Sequence, residues 1–212
     1  MEALVIALDD VKFNYTDDVK LSFPRFTLRK GEHCLILGNS GSGKTTLIHM
    51  MCGLLRPSSG KVILNGVDIY GLSAKQLDHF RGQNIGLIFQ QTHLIRSLTI
   101  LENLQLARWL AGLKEDREEL LLVLQRLKIA DKATNYPHQL SQGQAQRAAI
   151  ARALVNRPMF LIADEPTSSL DDHHAALVLD LLLDQSQNFG ASLIIATHDK
   201  RVKDQIVNTY QL

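Results

Sequence analysis

Residues 38–45 read GNSGSGKT, and this stretch decides the fold. It fits the pattern G-x-x-x-x-G-K-[ST], in which main-chain N–H groups of a glycine-rich turn converge on the phosphates of a nucleotide. Residues 33–37 before it form a short apolar run suited to a buried strand, and residues 46–54 after it carry apolar side chains at helical spacing. A strand, a glycine-rich loop and a helix in this order direct the positive end of the helix dipole at phosphate. The sequence therefore predicts a nucleotide-binding loop.

The residue types within the loop predict individual roles. We expect Lys44 to place a positive charge between the β- and γ-phosphates, and the hydroxyl of Thr45 to bind Mg²⁺. Glycine has no Cβ, so it permits the tight turn and the close approach of the main chain to a ligand. The nucleotide-binding residues predicted here are Gly38, Asn39, Ser40, Gly41, Ser42, Gly43, Lys44, Thr45 and Thr46.

Length and composition narrow the class of protein. The chain has 212 residues, long enough for one large α/β domain or for a core with a small subdomain. Its net charge of +1 predicts no nucleic-acid surface. Cys34 and Cys52 lie in apolar segments without disulfide or metal-binding spacing, which is typical of a reducing compartment. No apolar run approaches the ~18 residues that span a bilayer and the N-terminus does not resemble a signal peptide, so work at a membrane would need a second chain.

Strand-like and helical runs alternate along the chain, which is the pattern of a parallel sheet covered by helices. Between residues 91 and 157 the pattern changes to helices without strands, which indicates a helical subdomain inserted into the sheet domain. We therefore predict one domain over residues 1–212, with a nucleotide-binding core of residues 1–90 and 158–212 and a helical subdomain of residues 91–157. The candidate strands are residues 3–8, 61–64, 85–89, 159–163 and 192–196, and the candidate helices of the subdomain are residues 101–112, 115–128 and 141–156.

A second candidate site follows the apolar run of residues 160–163, where Asp164 and Glu165 stand next to each other. A buried strand that ends in a carboxylate can hold Mg²⁺ opposite Thr45. Glu165, one residue further on, is placed to act as a base or to position the attacking water. The alternative is a pair of solvated loop acids. The phosphate-binding loop upstream favours the interpretation as a catalytic pair.

A third motif, LSQGQ at residues 140–144, marks the start of a helix. Ser141 and Gln144 form an S-x-x-Q capping box, which places Ser141 at the N-cap. The free N–H groups of such a helix end bind anions, and Gly143 allows the main chain of a ligand site to come close. A capped helix end that faces only solvent is the alternative.

Together these motifs resemble the ATP-binding subunits of ABC (ATP-binding cassette) transporters, and the resemblance runs from Tyr15 to Asp199. IGLIFQQ contains Gln90, LSQGQ is followed by AQRAAIARAL, and ADEPT, SSLD and ATHD come next in the family's order. The resemblance implies that Gln90 senses the γ-phosphate and contributes to the metal site with Thr45 and Asp164. It also implies that His198 acts beside Glu165, Gln90 and Lys44 in catalysis.

The resemblance further implies ATP and Mg²⁺ as ligands and a head-to-tail dimer of two copies of the chain. In such a dimer the signature residues meet the ATP of the partner and a short loop crosses to it. Tyr15 matches the aromatic residue that stacks on adenine, and the alternative is that an aromatic side chain beside Phe13 serves only packing. The implied signature residues are Ser141, Gln142, Gly143 and Gln144, and the implied dimer loop is Ser168, Ser169, Leu170 and Asp171.

The implied fold is α/β, a phosphate-loop NTPase core of the RecA-like type with a mostly parallel sheet, an antiparallel β edge and the inserted helical subdomain. Three departures from the family pattern stand out, two at the signature and one in the segment of residues 23–26. Gln142 replaces the commonest glycine of the signature, and Ala145 replaces a polar residue just after it. The segment of residues 23–26 contains Pro24, which removes a hydrogen-bond donor, and we interpret it as an edge strand.

The amino-acid sequence of residues 80–104 resembles that of the bacterial subfamily that drives lipoprotein release and macrolide-type export. We therefore expect an ATPase that works with an integral-membrane permease, at the cytoplasmic face of the plasma membrane and without nucleic acid. The permease contact is expected on residues 91–100. Two alternatives stay open, an importer of small molecules and a non-transport cassette that acts as a membrane-associated scaffold of the division type. The candidate contact residues, each of which could instead pack within the helical subdomain, are Leu94, Ile95, Leu98 and Ile100.

Overall fold

The structure is a computed structural model that describes residues 4–16, 18–167, 172–198 and 205–212. Its strands form two five-stranded sheets. The antiparallel sheet contains β1 (Leu4–Asn14), β2 (Lys20–Ser22), β3 (Phe26–Arg29), β5 (Ser59–Leu64) and β6 (Val67–Asp68). The parallel sheet contains β4 (Cys34–Leu37), β7 (Ile85–Ile88), β8 (Phe160–Asp164), β9 (Ser192–Thr197) and β10 (Thr209–Gln211).

Six α-helices lie in the described residues. Four of them begin at a side chain that caps the first turn, and in three of these the cap is reciprocal, as in the S-x-x-Q pattern predicted for the helix that starts at Ser141. Short 3-10 turns lie at Ile69–Gly71, Ala130–Lys132 and Pro137–Gln139. The helices are α1 (Lys44–Met51), α2 (Ala74–Asn84), α3 (Ile100–Leu110), α4 (Arg117–Arg126), α5 (Gln142–Leu154) and α6 (Asp172–Phe189).

The central strands of the parallel sheet are buried on both faces, which explains why β4, β8 and β9 are mostly continuous apolar runs rather than apolar at alternate positions. All residues of β4, β8 and β9 are buried. Leu35 and Leu37 of β4 pack on one side against a core shared with α3 to α6. Cys34 and Ile36 pack on the other side, against α1 and the antiparallel sheet. The parallel sheet is thus the middle layer of three.

The strand order β10-β4-β9-β8-β7 fixes where the functional loops meet. All these strands run parallel, so their carboxyl ends lie at the same edge. The phosphate loop follows β4, Glu165 follows β8 and His198 follows β9. Since ligands of open parallel sheets bind outside the carboxyl ends of the strands, the candidate site is expected at this edge.

The predicted α/β fold class is confirmed, and the two kinds of sheet are both present. Some boundaries differ from the expectation. Strand β5 begins at Ser59, two residues before the predicted start at residue 61. Residues 23–25 link β2 to β3 instead of forming a strand, although both neighbouring strands do lie along one edge of β1. The stretch of residues 91–157 contains α3, α4 and α5 and no strand, while its status as a separate subdomain stays a prediction.

Candidate functional site

The phosphate loop connects β4 to α1 and turns sharply at both ends. Gly43 is the N-cap of α1 with φ +98°, a conformation that disfavours any residue with a Cβ. A Cβ on Gly43 would also lie 2.9 Å from Cδ1 of Leu21. A Cβ on Gly38 would lie 2.3 Å from Oγ of Ser42, so the loop closes tightly there. These two glycines are therefore required by the shape of the loop.

Lys44 is almost fully buried in this loop, with 7% of its surface exposed. Its Nζ donates to the carbonyl oxygens of Gly38 at 2.9 Å and of Asn39 at 3.1 Å. It also lies 3.7 Å from Oε1 of Glu165. The ammonium group thus points into the concave side of the loop, where the phosphates of a nucleotide are expected to bind.

Glu165 is held by the ends of two neighbouring strands. It has φ +48°, which is uncommon for a residue with a Cβ, and its N–H donates to the carbonyl of Ala196 at 2.8 Å. Its Oε1 lies 2.8 Å from Nδ1 of His198, and its Oε2 accepts from Oγ1 of Thr197 at 3.2 Å. Strained backbone at a strand end is frequent in active sites. The carboxylate is therefore fixed in orientation before any substrate binds.

Asp164 and Thr45 form a donor set that suits a hard divalent cation. Asp164 is 8% exposed, and its Oδ1 is buried without a hydrogen-bond partner among the described residues. Burial raises the pKa of this carboxyl group, and a hydrogen bond with Thr45 opposes the increase. Carboxylate and hydroxyl oxygens are the ligands that Mg²⁺ prefers. A buried carboxylate oxygen without a partner fits a bound cation.

One cavity of about 810 Å³ brings most of the predicted residues together. This volume lies within the usual range for ligand pockets of ~300–1,000 Å³. Tyr15 lies at its rim, 57% exposed, with its hydroxyl 2.6 Å from Oγ1 of Thr46 and its ring edge-on to Phe13. The lining residues are Tyr15, Val19, Leu21, Asn39, Ser40, Gly41, Gly43, Lys44, Thr45, Thr46, Gln90, Glu165 and His198.

The signature residues Ser141 to Gln144 do not line this cavity. Oγ of Ser141 accepts from the Gln144 N–H at 3.3 Å, and Oε1 of Gln144 accepts from the Ser141 N–H at 3.0 Å. Gln142 and Gly143 are exposed, and no atom lies within 4 Å of the position of a Cβ on Gly143. The helix start is thus exposed and lies outside the cavity of this copy of the chain. The predicted dimer loop, residues 168–171, lies outside the described residues.

Two of the four residues expected to contact a permease are not available at the surface. Leu94 is 8% exposed and Ile100 is fully buried, and both pack into the core beside α3 to α5. That part of the expectation is wrong, because the loop turns these side chains inward. Ile95, 41% exposed, and Leu98, partly exposed, remain at the surface.

Sequence reasoning missed several residues of the site. Thr197 hydrogen-bonds to Glu165 and directly precedes His198, so the ATHD motif carried a signal for it. Val19 and Leu21 line the cavity from the antiparallel sheet, and no pattern in the sequence identifies them. Gln146 and Arg152 of α5 bind main-chain carbonyls of the loops that follow β8 and β7. They belong to the quoted signature helix, but their contacts follow only from the fold.

Comparison with known proteins gives consistent matches. A family model described as ABC transporter matches residues 21–168. The lipoprotein-releasing system ATP-binding protein LolD of Buchnera aphidicola is 39% identical over 176 residues, covering 82% of this chain and 77% of that protein. The dimeric structure of the bacterial ABC transporter cassette MJ0796 superposes with a TM-score of 0.85 at 32% identity, covering 98% and 94% of the two chains. A post-hydrolysis dimer of MJ0796 bound to ADP and Pi has a TM-score of 0.80 at 32% identity, with 93% and 89% covered.

Proposed function

This chain belongs to the ABC transporter family as an ATP-hydrolysing subunit, and from that premise we propose that two copies close head to tail around two ATP molecules to drive a separate membrane permease. The observation that carries the proposal is the convergence of Lys44, Gln90, Glu165 and His198 on one cavity at the carboxyl edge of the parallel sheet. A phosphate loop, an acid pair and a histidine in one cavity suit attack of water on a γ-phosphate.

The residues of the cavity have different proposed roles, which follow from their chemistry. The loop N–H groups and Lys44 bind the phosphates, and Tyr15 stacks on the base. Glu165 accepts a proton from the attacking water or orients it, since its carboxylate is already fixed by Thr197 and His198. To His198, which is exposed at the rim, we assign the role of donor to the γ-phosphate.

Thr45, Asp164 and Gln90 would hold Mg²⁺. When bound, the cation neutralises charge on the phosphate oxygens. The buried Oδ1 of Asp164 supports this assignment, because it otherwise lacks a partner in the described structure. Gln90 supports it less directly, since it lines the same cavity from the end of β7.

The open signature helix supports the dimer. A helix start whose N–H groups and Gly143 are exposed can bind the γ-phosphate of a nucleotide held by the partner. Residues 168–171 are proposed to cross to the partner in the same interface. The dimeric structures of the similar cassette MJ0796 show that this fold can pair in that protein.

We propose that the dimer drives a permease for lipoprotein release or macrolide-type export, because the similar LolD proteins are named for lipoprotein release. The surface around Ile95 and Leu98 is the proposed contact, with the chain peripheral on the cytoplasmic face of the membrane. Within the described residues, the helices are too short or too polar to cross a bilayer.

Replacement of Glu165 tests the ATPase assignment. In Glu165→Gln the amide cannot accept a proton, so hydrolysis should fall by roughly 10²–10⁴-fold while ATP binding persists. With ATP and Mg²⁺ the variant should accumulate as a dimer in light scattering. Glu118→Gln, an exposed acid on α4, is the matched control. Hydrolysis by Glu165→Gln at the parental rate would refute the proposed role.

The same variant tests the transport assignment. Tagged Glu165→Gln protein, with ATP and Mg²⁺, is used to capture partners from detergent-solubilised membranes of the native host. The expected partner is a permease with large extracytoplasmic domains. Lipoprotein release is supported if this permease, in proteoliposomes with the parental chain, releases acylated but not unacylated lipoprotein. Capture of division proteins alone would replace the transport proposal with the scaffold alternative.

A further inference from the structure

Arg152 of the signature helix α5 hydrogen-bonds to the loop that follows Gln90. Nη1 of Arg152 donates to the carbonyl oxygen of His93 at 2.5 Å, and Nη2 donates to that of Thr92 at 3.0 Å. A planar guanidinium group can bind two such acceptors at once with little loss of freedom per bond. Arg152 is partly buried, and this burial lowers the pKa of its guanidinium group.

The bound part of the loop has an unusual main-chain conformation. His93 has φ +45°, in the left-handed region that residues with a Cβ seldom adopt. Its ring lies edge-on to Phe89, with centroids 5.0 Å apart, so the chain folds back beside the end of β7. Such a conformation persists only when neighbouring groups determine it. The two hydrogen bonds from Arg152 are attached at this point.

The far end of the same loop is held by α3. Asn103, 2% exposed, accepts from the Ile95 N–H at 2.8 Å. Its amide group donates to the carbonyl oxygens of Ile95 and Leu98, both at 3.2 Å. From Thr92 onward the loop is therefore fixed to helices. Residues 89–91, which include Gln90, are the short connection between β7 and the fixed part.

The helix that provides Arg152 is itself close to β7. A Cβ on Gly86 would lie 2.3 Å from the carbonyl oxygen of Ala153, so helix and strand touch next to Arg152. The opposite end of α5 begins at Ser141, the signature residue. Arg152 thus lies where the signature helix meets the strand that delivers Gln90 to the cavity.

We propose that Arg152 is a positioning residue for Gln90: by binding the carbonyls of Thr92 and His93 it fixes, relative to the signature helix, the loop that places Gln90 in the nucleotide cavity. Arg152 does not line that cavity, so it acts through Gln90. The inference rests on the proposed function, in which Gln90 acts on the nucleotide.

The test compares Arg152→Gln with Arg147→Gln. Arg147 lies on the same helix, and its Nη1 is 3.5 Å from the carbonyl oxygen of Leu127, away from the loop. We expect Arg152→Gln to lower kcat about tenfold with KM for ATP changed less than about twofold, because the phosphate loop is untouched. Amide hydrogen exchange of residues 89–95, measured without nucleotide, should be about tenfold faster in Arg152→Gln. Arg147→Gln should leave both quantities near the parental values.

A double variant shows whether Arg152 acts through Gln90. If it does, Arg152→Gln combined with Gln90→Ala has the kcat of Gln90→Ala alone. Arg152→Lys keeps the charge but loses the two-pronged geometry, and it should be intermediate in kcat and in exchange. The proposal would be overturned if the reductions in kcat multiply in the double variant, or if amide hydrogen exchange in Arg152→Gln equals that of the parental chain. It would also be overturned if Arg152→Lys equals the parental chain in both kcat and exchange.

The outcomes separate this inference from the proposed function. A parental chain without ATPase activity, or a Gln90→Ala variant with parental kcat, counts against the proposed function. The exchange measurement needs no nucleotide and still tests the hold of Arg152 on the loop. If the parental chain is an active ATPase and the reductions in kcat multiply in the double variant, only the proposed role of Arg152 is contradicted.

Discussion

At the scale of single residues, the site contains two adjacent carboxylates in different surroundings. The side chains of Thr197, His198 and Lys44 contact Glu165 and fix its orientation. Asp164 is buried, and one of its oxygens lacks a partner in the described part of the chain. The contacts of Glu165 suit its proposed role in proton transfer, whereas the buried oxygen of Asp164 suits a bound cation.

This difference predicts that Asp164→Asn stabilises the ligand-free protein at neutral pH. Burial raises the pKa of Asp164, so the native state binds its proton more tightly than the unfolded state does. The associated stability is full below the unfolded pKa of about 3.9 and is lost as pH rises through the folded pKa. Asparagine keeps the shape and removes the charge, so we expect the melting temperature to rise by a few degrees at pH 7, since about 1 kcal/mol corresponds to roughly 2–4 °C at this size.

Thermal unfolding at pH 7 and pH 4.5 checks this expectation. The gain should shrink at the lower pH, where the parental carboxyl group is more fully protonated. With ATP and Mg²⁺ present the order should reverse, because the parental chain gains ligand-binding energy that the variant lacks. Asp78→Asn, on the exposed face of α2, serves as control. A lower melting temperature for ligand-free Asp164→Asn at pH 7 would contradict the account.

At the scale of elements, the approach of α5 to β7 depends on Gly86. Its Cβ position lies 2.3 Å from the Ala153 carbonyl oxygen and 3.0 Å from Cγ of Pro158, so Gly86→Ala must push helix and strand apart. Overpacking of this kind costs about 1–3 kcal/mol. We expect that loss in the free energy of unfolding by urea denaturation, together with reduced ATPase activity, because Gln90 lies at the end of the displaced strand.

Gly71→Ala is a matched control for this substitution. At Gly71 the nearest atom is 4.0 Å from the Cβ position and φ is not in the left-handed region, so alanine fits there. It should leave stability unchanged or raise it by up to ~1 kcal/mol, by restricting the unfolded chain. Equal stability of Gly86→Ala and the parental chain would show that the helix can shift without loss.

The elements that the sequence predicted are those with a strong apolar pattern. Strands β4, β8 and β9 of the parallel sheet are buried at every residue, so they read as nearly continuous apolar runs. Helix α2 has no buried residue, so it lacks an apolar stripe and only its Ser73–Gln76 capping box marks it. Strand β1 extends past the predicted end because an irregularity between Asp9 and Lys12 interrupts its alternation. Strand β10 has three residues, of which one is buried, too few for a pattern.

The candidate site divides in the same way. Residues within one contiguous motif, such as the phosphate loop and Glu165, could be predicted because neighbours in sequence share a local function. Contacts between distant segments could not, since Val19 reaches the cavity through a strand pairing and Arg152 reaches the loop across the core. The inward turn of Leu94 and Ile100 likewise depends on packing between helices.

At the scale of the whole molecule, the two features that we propose bind phosphate lie apart. Lys44 lies in the cavity at the edge of the parallel sheet, and Ser141 lies at the start of α5, outside that cavity. In the proposed head-to-tail dimer, each site is completed by one feature from each copy. A change in either copy would then damage a site, but the damaging changes would differ between the two copies.

This division predicts complementation between two inactive variants. Lys44→Ala removes the phosphate-binding charge, and Ser141→Arg blocks the helix start, so each variant alone should hydrolyse ATP poorly. In an equal mixture about half of the dimers are mixed, and each mixed dimer contains one site with an intact loop and an intact signature. If the two sites act independently, ATPase activity should recover to roughly a quarter of the parental value per chain. Mixing two preparations of Lys44→Ala is the control, and a mixture no more active than its components would place both features in one copy.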